Sequence, residues 1–380
     1  MEKKIRPIAI YLPQFHPIPE NDAWWGKGFT EWRNVVNAKP RFKGHYQPHL
    51  PADLGFYDLR LPETRQAQAD LARKYGIYGF CYYHYWFNGK RILERPFQEV
   101  FESRKPDFPF MLCWANENWT RIWDGGNNMV LLKQEHSRED DILHINTLIP
   151  YFKDERYIKV DGRPVFAIYK DLLFPDVRET IETFKSECRK HGLDLYICNF
   201  EREAGTTKGD SSRLNFDAAI EFQPLSYALA DFLEKTKKER EPSFLTLKRY
   251  KDFIGRRLLG QKMEKNFIVD LARFVEFELE RKAPSYKIFP GVSPGWDNTS
   301  RRVGKRANIF INGSSQLFKK WVENKVRRFE PYSPDENFLF INAWNEWAEG
   351  NHLEPCQRHG HDYLKALNEG VMEALQVKNV

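Results

Sequence analysis

Eight times along the 380-residue chain a short apolar run is followed by a turn or loop, and after most of these runs comes a stretch with helical periodicity. That alternation restricts the fold more than any other feature. The runs lie at 8–12, 77–83, 109–113, 165–169, 195–198, 218–222, 288–292 and 338–341. They are too short for helices and rich in branched and aromatic residues, so they read as buried strands. Helical patterns follow at about 63–75, 93–103, 137–152, 177–191, 315–328 and 362–375, with Gly76 and Gly192 placed as left-handed terminators. Asp161-Gly162 has the chemistry of a tight hairpin turn before the fourth strand. Eight strands separated by helices predict an α/β protein of the (β/α)8 TIM barrel class, a single domain over 1–380. The connection 202–215 is a poor helix, and 226–285 is a charged, mostly helical insertion that fits no single crossover. An open doubly wound sheet would advertise a glycine-rich phosphate loop after its first strand. That place holds Pro13-Gln14-Phe15-His16.

Charge and composition exclude several functions. A net charge of +6 from 59 basic and 53 acidic residues is too mild for a nucleic-acid footprint. The run 235–265 concentrates much of the charge; it would suit an anionic partner or peripheral contact with a membrane surface, although such runs more often form a solvated helix face. No stretch approaches the ~18 apolar residues of a transmembrane helix, and the N-terminus carries no secretion signal, so the chain as given reads as cytoplasmic. The five cysteines, with no CxxC spacing, read as buried free thiols. Aromatic residues reach 15%, with 11 Trp, enough to fill a core and to line a site as well.

A barrel of this kind places its site at the carboxyl ends of the strands. The residues found there are His16, His84, Tyr85, Trp86, Trp114, Asn116, Glu117, Trp119, Asn199, Glu221, Trp296, Asp297, Asn345 and Trp347, joined by Trp25 from the aromatic loop 17–53 and by Glu354. Carboxylates and amides bracket hydroxyls and indoles stack on ring faces, as a polysaccharide or oligosaccharide requires. Each also has a plain structural reading: Asn116 and Glu117 could cap a loop, and His16 and His84 read as hydrogen-bond partners. No third ligand joins any histidine pair, so neither a metal nor a cofactor is expected. The glycosylation-like triplets at 118, 298 and 312 mean little without a secretion signal.

Glu346 and Glu349 stand apart. Three positions apart on a helical turn, their side chains project the same way with Cβ atoms about 5–6 Å apart. Like charges that close in a partly dry site leave one carboxylic acid beside one carboxylate near neutral pH. Glycosidic cleavage uses such a pair, at about 5–5.5 Å for retention and about 6.5–9.5 Å for inversion. The plain alternative is an exposed surface turn, which the flanking Trp344 and Trp347 argue against.

Taken together, IAIYLPQFHPIPENDAWWGKGFTEW, GFCYYHYWFNGKRILERP, WANENWTRIWDG and NAWNEWAEGNHLEP resemble the WbsX-like proteins of bacterial polysaccharide gene clusters over most of the chain. The YYHYWFNGKRILE and NEWAEGNHLEP segments are similar, more distantly, to glycoside hydrolase family 99, the endo-acting α-mannosidases and mannanases. The resemblance implies a carbohydrate-active enzyme, a retaining hydrolase or transglycosylase of α-linked glycans working through a 1,2-anhydro sugar. It gives Glu346 the role of base on the sugar 2-hydroxyl and Glu349 that of acid on the departing oxygen. WbsX-like proteins also carry a glycosyltransferase label in lipopolysaccharide and capsule biosynthesis, which keeps transfer as an alternative and non-catalytic glycan binding as a second.

Overall fold

The computed structural model describes residues 4–120, 130–202, 205–239, 266–302 and 305–376. Eight parallel strands follow one another around a barrel: β1 (Arg6–Tyr11), β2 (Gly79–Phe87), β3 (Phe110–Trp114), β4 (Arg163–Ile168), β5 (Tyr196–Glu201), β6 (Ala218–Glu221), β7 (Ile288–Phe289 with Gly291–Val292) and β8 (Phe338–Ile341). β1 pairs with β2 on one side and β8 on the other. β7 completes the circuit in two halves: Ile288–Phe289 pairs with β6, and Gly291–Val292 pairs with β8. The break falls at Pro290, which has no N–H for a ladder but whose carbonyl accepts from Phe340 N at 2.9 Å. A Cβ on Gly291 would lie 2.0 Å from the Glu221 carbonyl oxygen, so a residue without one is required there. The expected (β/α)8 barrel is therefore the fold.

Ten α-helices are described: α1 (Pro19–Trp25), α2 (Glu31–Asn37), α3 (Pro62–Lys74), α4 (Arg95–Ser103), α5 (Arg138–Phe152), α6 (Val177–Lys190), α7 (Tyr227–Glu239), α8 (Leu271–Glu280), α9 (Ser315–Arg328) and α10 (Asp362–Gln376). Local chemistry sets their ends. Ser137 caps α5 by accepting from Asp140 N, Ser314 caps α9 by accepting from Leu317 N, and Gly76 and Gly192 take the left-handed conformation after α3 and α6. Asp161 and Gly162, both at positive φ, turn the chain from Lys159–Val160 back into β4.

Three expectations change in detail. The aromatic loop 17–53 contains α1 and α2. Within 226–285, α7 and α8 are helical as read, but Phe267–Asp270 is a strand that pairs in parallel with Asn308–Ile311; most of the basic run 235–265 lies outside the described residues. β2 runs to Phe87 and β5 to Glu201, beyond the ends expected at 83 and 198. His84, Tyr85, Trp86 and Asn199 are thus strand residues, and the alternation of the strand decides which way each points. All five cysteines are buried and free. No helix among the described residues is long and apolar enough to cross a membrane.

Candidate active site

Strand alternation sorts the strand-end residues into two sets. Tyr83 and Tyr85 of β2, Ala115 and Glu117 after β3, Tyr169 after β4, and Phe222 after β6 line one cavity at the barrel mouth with Trp119. Leu12, Arg301, Glu346 and Glu349 complete its wall. Residues of opposite parity face the helices. His84 Nε2 meets His144 Nε2 of α5 at 2.9 Å, and Trp86 Nε1 donates to Asp140 of the same helix at 2.9 Å. Trp114 packs on His144 with ring centroids 4.5 Å apart. Glu221 pairs with Arg281 and, at 2.6 Å, with Lys325 of α9. Asn199 is buried without a hydrogen-bond partner for either side-chain atom among the described residues. These five, expected as substrate contacts, do not line the cavity.

The glutamates sit on a short hairpin that leaves β8. Asn345–Glu346 pairs antiparallel with Asn351–His352, and a 3-10 turn, Trp347–Glu349, joins them. Residues three apart eclipse in a 3-10 turn, so the two carboxylates face the same way. Gly350 reverses the chain at φ 57°, where an added Cβ would lie 3.0 Å from Asp297 Cβ. Asn345 Oδ1 accepts from Leu12 N at 2.7 Å and its Nδ2 donates to Leu12 O at 3.0 Å, tying the hairpin to the end of β1. Trp347 stacks on His352, with centroids 3.7 Å apart, and its Nε1 donates to Glu354 at 2.6 Å. Glu354 also accepts from Gln68 at 2.6 Å and Tyr57 at 2.8 Å. Asn345, Trp347 and Glu354 therefore hold the hairpin from behind and do not face the cavity; burial pushes the Glu354 carboxyl up to about 7.

Arg301 organises the site, and sequence reasoning missed it. It ends the 3-10 turn Asn298–Arg301 after β7, where Asp297 Oδ1 accepts from Thr299 N at 2.9 Å. That turn docks on the glutamate hairpin through Asp297 N to Glu349 O at 2.6 Å and through Ser300 to the Ala348 carbonyl. The buried guanidinium then reaches three carboxylates: Glu349 at 2.7 Å, Glu346 at 3.1 Å and Glu31 of α2 at 3.2 Å. Burial raises both catalytic candidates, Arg301 opposes that rise in each, and Arg202 opposes it at Glu349 as well. Buried Glu346 and partly buried Glu349, facing one guanidinium, form a coupled pair whose carboxyls burial holds above the usual range. Arg202 lies over the rings of Tyr169 (4.8 Å) and Phe222 (5.3 Å) on the opposite wall.

The remaining expectations sort by position. Glu117 lines the cavity and pairs with Lys170, whose backbone Asn116 clasps at 2.7 and 2.9 Å, so Asn116 positions a wall residue from the interior. His16 is buried and held neutral, its pKa lowered to about 4 by burial. Trp25 lines an outer cavity of about 290 Å³ with Trp24, Phe29 and Glu31, and Trp119 is common to the outer and inner cavities. Trp296 and Asp297 border a different cavity beside Gly350. Strand parity counted from Tyr85 would have found Tyr83, and from Glu117, Ala115. Arg301 has no such signal, since Arg301-Arg302 reads locally as surface charge.

Protein WxcX of Xanthomonas campestris pv. campestris is 41% identical over 375 residues, which is 97% of this chain and 50% of the relative. The chain thus spans about half the length of the curated relatives it matches. Among solved structures, a glycoside hydrolase-like protein aligns with a TM-score of 0.57 at 16% identity, over 97% of this chain and 94% of that one. The family 99 endo-alpha-mannosidase of Bacteroides thetaiotaomicron aligns with a TM-score of 0.56 at 13% identity, over all of both chains. At such identities these likenesses speak for the barrel alone. The family model described as Glycosyltransferase WbsX matches residues 7–367, and the chain belongs to that family.

Proposed function

We propose that this protein is a carbohydrate-active enzyme that cleaves or transfers α-linked glycans with retention of configuration, using Glu346 and Glu349. The observation that carries the reading is the single guanidinium of Arg301 holding both carboxylates at 3.1 and 2.7 Å on the wall of a ring-lined cavity. In the first step Glu346 takes the proton of the sugar 2-hydroxyl and O2 attacks C1. The glycosidic bond breaks as Glu349 protonates the departing oxygen. In the second step Glu349 takes a proton from water, the water oxygen attacks C1, the C1–O2 bond opens, and Glu346 returns its proton to O2. An acceptor hydroxyl in place of water gives transfer, which the family description favours.

The first step needs the proton on Glu349, the arrangement that a sugar with its 2-hydroxyl against Glu346 and its glycosidic oxygen against Glu349 would favour. Trp24, Trp25, Phe29 and Trp119 supply stacking faces for neighbouring sugar units in the outer cavity. The barrel likeness to an endo-alpha-mannosidase supports the same reading.

The test is Glu349→Gln assayed on α-linked oligosaccharides, with product configuration followed by proton NMR. Cleavage of unactivated glycan should fall roughly 10²–10⁴-fold while glycan affinity persists. Unchanged turnover, or an inverted product from the parent enzyme, refutes the mechanism. Thermal stabilisation by a nucleotide sugar and not by free glycan would instead favour nucleotide-sugar transfer.

A further inference from the structure

Beside the glutamate hairpin, but lined by other residues, lies a cavity of about 420 Å³. Its walls are the loop after β7 (Pro294, Gly295, Trp296, Asp297), the loop after β8 (Gly350, His352, Arg358, His359), the segment 42–49, and Asn312-Gly313 leading into α9. Nothing in the mechanism above uses this space. Its volume is that of a small-molecule site.

Its polar groups are unbalanced in one direction. Asp297 is the only carboxylate among the described residues of the lining, and both its oxygens are engaged. Oδ1 accepts from Thr299 N at 2.9 Å, and Oδ2 faces His45 Nε2 at 2.6 Å and Gln47 Nε2 at 2.7 Å. The Arg41 N–H donates to His45 Nδ1 at 3.0 Å, so the His45 proton resides on Nε2 and points at Asp297. Cations, by contrast, are left over. Neither Lys43 nor Arg358 forms an ion pair among the described residues, and Arg358 is held over the Tyr46 ring at 4.3 Å. Asn312-Gly313 adds the positive end of the 14-residue helix α9. The loops after strands seven and eight, with a helix N-terminus, are also where barrels of this class commonly hold phosphate.

We propose that this cavity is an anion site that takes the phosphate group of a phosphorylated small molecule, a sugar phosphate or a nucleotide, with Lys43 and Arg358 as its cations. The rings of Tyr46, Trp296 and Tyr363 flank the space left for the rest of the ligand. The proposal stands independently of the roles given to Glu346 and Glu349.

Isothermal titration of the full chain at low salt tests it, with inorganic phosphate, glucose 1-phosphate, uridine diphosphate and, as a carboxylate control, glucuronate. Saturable binding of at least one phosphate compound is expected, with a dissociation constant of about 1 mM or tighter, and the preferred compound identifies the source. The double variant Lys43→Ala/Arg358→Ala should bind at least tenfold more weakly with an unchanged ligand-free melting temperature, since both side chains are exposed. The single variant Arg358→Glu should abolish binding by the same logic. Glu349→Gln should bind phosphate as the parent does, which separates this site from the glycan reaction. No binding by any phosphate compound at about 10 mM, parent-like binding by the double variant, or equal binding of glucuronate overturns the assignment.

Discussion

Replacing Arg301 with Met removes one guanidinium and strands three carboxylates. The Arg301 side chain is 6% exposed, and its partners Glu31, Glu346 and Glu349 are 4%, 6% and 18% exposed. Removing one partner of a buried ion pair costs about 3–5 kcal/mol, because the charges left behind are largely cut off from water and keep only the more distant charge of Arg202 acting on Glu349. With an unfolding entropy of about 2.1 cal/mol/K per residue, 380 residues give roughly 0.8 kcal/mol/K, so the melting temperature should drop by about 4–6 °C. The drop should depend on pH with a definite sign. Arg301 lowers the carboxyls of Glu346 and Glu349, so its loss lets burial raise them further. A carboxyl whose folded pKa lies above its unfolded value binds more protons in the folded state between the two values. Stability then falls as pH rises through that window, and the loss is complete above the folded pKa. Melting curves at about pH 8.5 should show a larger deficit than those at about pH 5. Adding Glu346→Gln, which removes one stranded charge, should recover part of the loss at the higher pH. A melting temperature within about 1 °C of the parent, or an equal deficit at both pH values, refutes the idea that Arg301 holds three charges in a dry site.

The coupled carboxyls of Glu346 and Glu349 should give kcat/KM a basic limb above the ordinary carboxylate range, because burial raises both groups; a pH–rate profile flat from about pH 5 to 9 would deny the acid role. Trp119→Ala, which strips a ring common to the inner and outer cavities, should raise KM roughly 3- to 10-fold with a smaller change in kcat. Steady-state kinetics with unaltered KM would take Trp119 out of the substrate path. Gly350→Ala puts a Cβ on a left-handed residue, 3.0 Å from Asp297 Cβ, and should cost about 1–2 kcal/mol. Calorimetry should show a melting temperature lower by about 1–3 °C, with kcat reduced as the hairpin shifts Glu349 away from Arg301.

The barrel was legible because its strands are buried on both faces and read as unbroken apolar runs; β8 lies at 338–341, as the sequence predicts. The glutamate pair was legible because two carboxylates next to an apolar strand are costly wherever they fall. The direction of side chains was not. Collecting every polar or aromatic residue near a strand end mixed His84, Trp86 and Trp114, which serve the packing of α5, with Tyr85 and Glu117, which face the cavity. The missing information was the strand end itself: with β2 placed two turns of the pleat longer, alternation alone separates the two sets. Arg301 and Glu31 were beyond reach for another reason. They come from segments 270 residues apart in the chain, and neither carries a local pattern that tells a buried ion from a solvated one.

The divided seventh strand gives this barrel a built-in zip. Elsewhere on the circuit each strand is laced to its neighbours along a continuous stretch, but at Ile288–Val292 the lacing changes sides at Pro290, leaving two residues clasping β6 and two clasping β8. Amide hydrogens of Ile288, Phe289, Gly291 and Val292 should therefore exchange before those of β1 or β2. The turn bearing Arg301 follows the half of that strand that pairs with β8, so one short strand both closes the circle and carries the guanidinium toward its three carboxylates.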